Sequence, residues 1–139
     1  MKIFVDTNLI VDYLEKRQDF YEDAIEVLRL SVRDNVEIMV SDLTIVNVRY
    51  ITRKTISSTA FCDIIKTMRK FISITSMGQS VVDEALTLAY GNRDFEDVMQ
   101  YCSAISYGAN CIVTRNIKDY GFSKIPVYTP KELLSLMKN

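Results

Sequence analysis

Short apolar runs alternate along this chain with longer stretches in which apolar residues recur every three or four positions. Ile3-Phe4-Val5, Ile38-Met39-Val40 and Cys111-Ile112-Val113-Thr114 are of the first kind, each long enough for a buried strand. Ser73–Thr75 and Ile125–Tyr128 are shorter strand candidates. Between them lie helical patterns. Leu9, Ile10, Tyr13 and Leu14 mark one; Tyr21, Ala24, Ile25, Leu28 and Val32 a second. Leu43, Val46 and Tyr50 predict the apolar face of a third; Phe61, Ile64, Ile65, Met68 and Ile72 that of a fourth. Val82, Ala85, Leu86 and Ala89, then Phe95, Val98, Met99, Cys102 and Ile105, predict two more. Ser41 or Asp42, and Ser57, are helix starts, and Gly91 and Gly108 are placed as stops. Thr129-Pro130-Lys131-Glu132 has a cap, a proline at the first helical position and a glutamate at the third, before Leu133, Leu134 and Met137.

Strands alternate with helices, and no hairpin signal joins two strands. The expected architecture is α/β: a central parallel sheet of about four to five strands, covered by helices on both faces, with right-handed crossovers. Two helices between successive strands make it a helix-rich variant. No repeat or linker divides residues 1–139, so one domain is expected, large enough to bury roughly two-thirds of its unfolded surface.

Composition removes several chemistries. The chain has no histidine, which excludes Ser-His-Asp and Cys-His nucleophile systems and the usual zinc sites. No apolar run is long enough for a membrane span, and no signal-peptide pattern precedes the first strand, so no membrane partner and a cytoplasmic location are expected. Cys62, Cys102 and Cys111 are odd in number, lie in apolar contexts and have no metal-ligand spacing; reduced core thiols are expected. The net charge of −1 means that a nucleic acid would have to meet a local basic patch.

The candidate chemistry is acidic. Asp6 follows the first strand directly, at the edge of an α/β sheet where ligands bind, though an aspartate there also suits a helix cap. Asp94 and Asp97 are three apart at the start of a helix, where a cap and its partner would also sit. Thr114-Arg115-Asn116-Ile117-Lys118-Asp119 emerges after the strand at 111–113. Together these segments can place Asp6, Asp94 or Asp97, and Asp119 around one cleft. Clustered carboxylates repel unless a cation compensates. Mg²⁺ or Mn²⁺, which prefers hard oxygen ligands, is the natural one, and such a site suits phosphodiester hydrolysis.

Four motifs carry a family resemblance over nearly the whole length: Phe-Val-Asp-Thr-Asn at 4–8, Ser-Asp-Leu-Thr-Ile-Val-Asn at 41–47, Asp-Phe-Glu-Asp at 94–97 and Val-Thr-Arg-Asn-Ile-Lys-Asp-Tyr at 113–120. In this order and spacing the chain resembles the PIN domain, and within it the VapC-like toxin ribonucleases. The resemblance implies a three-layer PIN-like fold, a divalent-metal site and cleavage of single-stranded RNA. By position, Asp6, Asp97 and Asp119 resemble the metal ligands and Asp94 a supporting acid. Asn8, Thr114 and Asn116 match polar residues that line the site. Asn47 stands where most active members have glutamate; its carbonyl can ligate a metal or hold a metal-bound water, but it carries no charge. The resemblance also implies a homodimer held inactive by a small antitoxin.

Arg49 and Arg53 share a helix face, and Arg115 lies in the polar loop; these are the candidate RNA-phosphate contacts, with Tyr50 or Tyr120 as candidate base-stacking rings. Two readings remain: a metal-dependent endoribonuclease of a toxin–antitoxin pair, or a catalytically weak PIN module that binds RNA or protein. A receiver-like or dehalogenase-like phosphotransfer protein fits less well. Asp6-Thr7-Asn8 lacks a second aspartate two residues on, and no lysine closes the fourth strand.

Overall fold

The computed structural model describes residues 1–91 and 93–138. Its elements run β1 (Lys2–Val5), α1 (Thr7–Leu14), α2 (Tyr21–Arg29), β2 (Glu37–Ser41), α3 (Asp42–Thr52), α4 (Ser58–Met68), β3 (Ile72–Thr75), α5 (Gly78–Leu88), α6 (Phe95–Ser106), β4 (Cys111–Val113), β5 (Val127–Tyr128) and α7 (Pro130–Leu136). Short 3₁₀ turns follow α2 at Leu30–Val32 and β4 at Ile117–Tyr120. All strand pairs are parallel, and the order across the sheet is β3-β2-β1-β4-β5. The expected α/β sheet of four to five strands therefore has five, with two α-helices between each of the first four strands.

The alternation of side chains along the strands builds two cores. Ile3, Val5, Ile38, Val40 and Val113 face one side with Leu9, Val27, Val48, Phe61 and Leu133. Phe4, Met39 and Ile112 face the other with Val81, Ala85, Val98, Cys102 and Tyr120. Helices α1–α4 and α7 thus cover one face of the sheet, and α5 and α6 cover the other.

Local chemistry fixes where the helices begin. The side chains of Ser41, Ser57 and Asp94 accept hydrogen bonds from Thr44, Ala60 and Asp97 backbone N–H groups. Thr129 and Glu132 complete a reciprocal capping box behind Pro130. Gly108 ends α6 at φ +75°, and its following N–H, on Ala109, returns 3.0 Å to the Ala104 carbonyl.

Several faces differ from the pattern. On α3, Val46 and Tyr50 are 67% and 62% exposed, and the buried residues are Thr44, Val48 and Thr52. Hydroxyls can occupy that face because each finds a partner inside: Thr52 donates to the Val48 carbonyl at 2.8 Å, and Thr44 joins a polar network. On α5 the buried residues are Val81 and Ala85, while Leu86 is turned outward. Ile72 starts β3 rather than ending α4. Cys62 is exposed, one position off the Phe61–Met68 stripe; Cys102 and Cys111 are buried as expected, and all three thiols are free.

The polar network ties three helices together beneath the carboxyl edge of the sheet. Gln100 of α6, with no exposed surface, donates 2.8 Å to the Thr44 hydroxyl and 3.3 Å to that of Thr7, and accepts from Ser41. The Thr7 and Thr44 hydroxyls lie 3.0 Å apart. Removing Gln100 strands buried hydroxyls at roughly 1–3 kcal/mol. We expect Gln100→Leu to lower the unfolding free energy by about 2 kcal/mol in urea denaturation; an unchanged midpoint would show that the hydroxyls re-pair among themselves.

Candidate active site

The strand order reverses between β1 and β4, and ligands of open α/β sheets bind at the carboxyl ends of strands flanking such a point. Asp6 leaves β1 there, its N–H donating 3.0 Å to the Val113 carbonyl of β4. Asp6 is 8% exposed and caps α1: its Oδ1 accepts from Thr7 N at 2.8 Å. Its Oδ2 accepts from the Thr114 hydroxyl at 2.8 Å and from Asn8 Nδ2 at 3.5 Å. Asn8 Nδ2 also donates to Thr114 Oγ1 at 3.0 Å. Capping and a cleft position are therefore properties of one carboxylate.

Asp97 sits in the first turn of α6 and Asp119 in the 3₁₀ turn after β4. Both line a cleft of about 530 Å³, with Asp94 beside them and Arg93 and Lys118 on its walls. Burial, then the Asp94, Asp6, Asp119 and Glu96 carboxylates, push Asp97 up to about 7. Burial also raises Asp6; the Thr114 hydroxyl and Thr7 amide oppose it, and Asp119 adds to it. Glu96 is raised by burial and by Asp6 and Asp94. The five carboxylates thus share one electrostatic site. Among the described residues, no three His, Cys, Asp or Glu side chains close on a common point that would hold a metal ion.

Other expected residues take different roles. Asn116 contributes its backbone: its N–H donates to Thr114 Oγ1 at 3.0 Å and its carbonyl accepts from Asp119 N. Asn47 is half-buried, one turn beyond Thr44, and its Nδ2 is buried without a hydrogen-bond partner. The three arginines are committed within the fold. Arg115 grips Asp12 through Nε at 2.6 Å and a second nitrogen at 3.2 Å, and lies over the Phe20 ring. Arg49 donates to the Ile56 carbonyl and lies over Phe61. Arg53 donates to the Tyr50 carbonyl and lies over the Tyr50 ring. Tyr120, 2% exposed, offers no face for a base.

Residues outside the sequence expectation complete the picture. Asp12, 1% exposed, is the buried anchor of Arg115. Glu96, exposed beside Asp97 in the first turn of α6, is coupled to Asp6 and Asp94. Gln100 follows Asp97 by three, on the same side of α6, and that spacing was the available signal. Tyr120 is buried against the acids: burial, then Asp6 and Asp97, raise its phenol, which stays protonated. Its hydroxyl makes no hydrogen bond of ordinary geometry.

Comparisons with known proteins identify the family and the fold. The family model of the PIN domain matches residues 2–118. Ribonuclease VapC1 of Aquifex aeolicus is 29% identical over 134 residues, covering 94% of this chain and 92% of that protein. Among solved structures, VapBC-1 of nontypeable Haemophilus influenzae superposes with a TM-score of 0.70 at 14% identity, covering 94% of this chain and 99% of that one. VapC20 of Mycobacterium tuberculosis, described as a toxin that cleaves the sarcin-ricin loop, gives 0.66 at 14% identity, covering 89% and 98%.

The carboxylate crowding has a pH signature. Asp97 binds its proton more tightly folded than unfolded, about 7 against 3.8, so the stability it contributes is present at low pH and lost as pH rises through 7. Asp6 and Glu96, also raised, act in the same direction. In excess chelator the melting temperature should fall between pH 5 and pH 7.5, and Asp97→Asn should flatten that slope. A melting temperature that climbs across this window would contradict the assignment.

Proposed function

The chain belongs to the PIN-domain family, and from that premise we propose that it is a divalent-metal-dependent endoribonuclease, cutting single-stranded RNA as the toxin of a toxin–antitoxin pair. The observation that carries this reading is the gathering of Asp6, Asp97, Asp119 and Glu96 at the β1–β4 switch point, with Asp97 pushed to about 7. A site of mutually repelling carboxylates favours a cation, and an all-oxygen donor set suits Mg²⁺ or Mn²⁺. Asp6, Asp97 and Asp119 would hold it. When bound, the cation supplies Lewis-acid stabilisation of the phosphodiester and a more acidic water.

The chain's own groups do the rest. Thr114, Asn8 and the Thr7 amide hold the Asp6 carboxylate in one orientation. Arg93 and Lys118, on the walls of the acidic cleft, are placed to meet phosphate oxygens. Loss of the Asp97 proton on cation binding makes metal affinity rise with pH through neutrality.

Partners follow the same reading. The Haemophilus chain belongs to a VapBC structure, and a Klebsiella pneumoniae toxin–antitoxin complex superposes with a TM-score of 0.67 at 21% identity, which supports a small antitoxin here. Val46, Tyr50 and Ile51, exposed along α3, support an apolar interface such as a homodimer would use. Light scattering of the purified protein, and co-purification with the product of an adjacent short reading frame, decide these two points. Among the described residues no helix is long and apolar enough to cross a membrane. RNA cleavage of this kind belongs in the cytoplasm, where the three free thiols remain reduced.

The alternative, a PIN module that binds RNA or protein with little catalysis, is favoured by Asn47. Its uncharged amide leaves one fewer carboxylate than the resemblance implies. Cleavage of single-stranded RNA should need Mg²⁺ or Mn²⁺ and fall by at least 100-fold in excess chelator or in Asp6→Ala, on the scale of losing a main charge-stabilising group. Undiminished cleavage in chelator, from a nuclease-free preparation, would refute the metal mechanism. No cleavage by wild-type protein would leave the binding-module reading.

Asn47→Glu separates the two. A carboxylate there adds one ligand charge, so Mn²⁺ should bind about tenfold more tightly, equivalent to roughly 1.4 kcal/mol. Repulsion by the neighbouring acids should lower the melting temperature in chelator. No change in Mn²⁺ affinity or melting temperature would place Asn47 outside the site.

A further inference from the structure

A groove of about 1110 Å³ lies beside the acidic cleft, outside the proposed cation site. It runs between the end of α5, the outer side of α6 and the segment 122–124. Its walls include Leu88, Tyr90, Tyr101 and Phe122, with Arg93 and Lys124 as its cations. Arg93 and Phe122 line the acidic cleft as well, so the two spaces meet along a shared wall.

We propose that this groove is a nucleobase subsite, which takes an unpaired base of the same RNA strand whose phosphate lies in the acidic cleft. The proposal rests on the ribonuclease reading and adds to it where the strand lies and what selects a single strand.

Continuity is the first argument. A chain with one phosphate between Arg93 and Lys118 must place a neighbouring nucleotide somewhere, and the groove opens from that wall. The second is the chemistry of the lining. Aromatic rings accept the flat face of any base, and such stacking is tolerant of sequence. Phe122 is held edge-on against Tyr101, 5.2 Å between ring centroids at 84°, so its position is fixed by packing. Tyr90 is different. It is 93% exposed, so its ring does nothing for the fold. Arg93 is the hinge between the spaces: it donates to the Leu88 carbonyl at 2.9 Å and lies 5.4 Å from the Phe122 ring centroid. Its charge at this wall suits a phosphate that follows the stacked base. Asp83 and Glu84, also on the groove, accept hydrogen bonds only, which suits N–H groups on base edges, the uracil N3–H among them, and disfavours phosphate inside the groove. A base paired in a duplex cannot present its face to Tyr90, so the subsite discriminates against double strands.

The test uses the full chain in an Asp6→Asn background, so that the probe stays intact. The probe is a fluorescein-labelled ten-nucleotide oligouridylate, with a base-free chain of the same length as its control. Tyr90→Ala should weaken binding of the oligouridylate about tenfold, the usual scale for losing one stacked base. Tyr90→Phe should bind as the parent does, and the base-free chain should bind parent and Tyr90→Ala equally. A 5-iodouridine probe should crosslink to Tyr90 or Phe122. Equal binding of the oligouridylate by Tyr90→Ala and parent overturns the subsite, as does an equal loss with the base-free chain; a protein-binding role for the groove would give the first of these. Wild-type cleavage with no effect of Tyr90 removes the subsite alone. Tyr90-dependent binding without any wild-type cleavage removes the ribonuclease reading alone, and no binding and no cleavage removes both.

Discussion

The pairing of β1 with β4 brings two strand ends side by side at the point where the chain leaves the sheet in opposite directions. After β1 it turns into α1, whose Leu9, Ile10 and Val11 join the core on one face. After β4 it turns through Thr114 toward Tyr120, which joins the core on the other. The crevice between these exits is a consequence of the strand order. Asp6 stands at one lip and Thr114 at the other, and the 2.8 Å bond between them closes the floor. A chain whose fourth strand paired elsewhere would have the same acids and no site.

Holding such a crevice open requires polar groups in places that would otherwise be apolar, and each must be matched. Two buried systems do this. Gln100, Thr44, Thr7 and Ser41 join α6, α3 and α1 below the carboxylates, so that the helix carrying Asp97 is registered against the helix that Asp6 caps. Asp12 and Arg115 join α1 to the loop after β4. A buried ion pair of this kind contributes more to geometry than to net stability, because desolvation offsets most of its attraction. It ties down the start of the loop that carries Asn116 and Asp119.

The sequence was most informative where local chemistry and tertiary structure agree. Ile3–Val5, Ile38–Val40 and Cys111–Val113 read as buried strands, Thr129–Glu132 as a capping box, Asp6 as a residue at a strand end and Asp97 as one in a helix start, because each signal is contained within a few residues. It was least informative on α3. There the side chains that pack inward are threonines and the exposed ones are Val46, Tyr50 and Ile51, and an apolar-in reading inverts the face. Only partners distant in sequence, Gln100 above all, reveal why hydroxyls are buried. Arg49, Arg53 and Arg115 show the same limit: their spacing to the acids was legible, but the carbonyls and the Asp12 carboxylate that they bind were not.

Asp6 and Asp97 differ in a way that assigns them different work. Both are raised by burial, but Asp6 has hydroxyl, carboxamide and backbone donors aimed at its oxygens, and these offset part of that cost by favouring the charged form. Asp97 has mainly other carboxylates around it, and its carboxyl is the one left near pH 7. In the absence of a cation both carboxyls are pushed toward the protonated form, and the donors around Asp6 hold its orientation. On the proposed reading Asp6 would be the fixed carboxylate on the floor and Asp97 the adjustable one on the first turn of α6. Tyr120 reinforces that division: a phenol that stays protonated can face Asp6 and Asp97 without adding charge, which a carboxylate at the same depth could not.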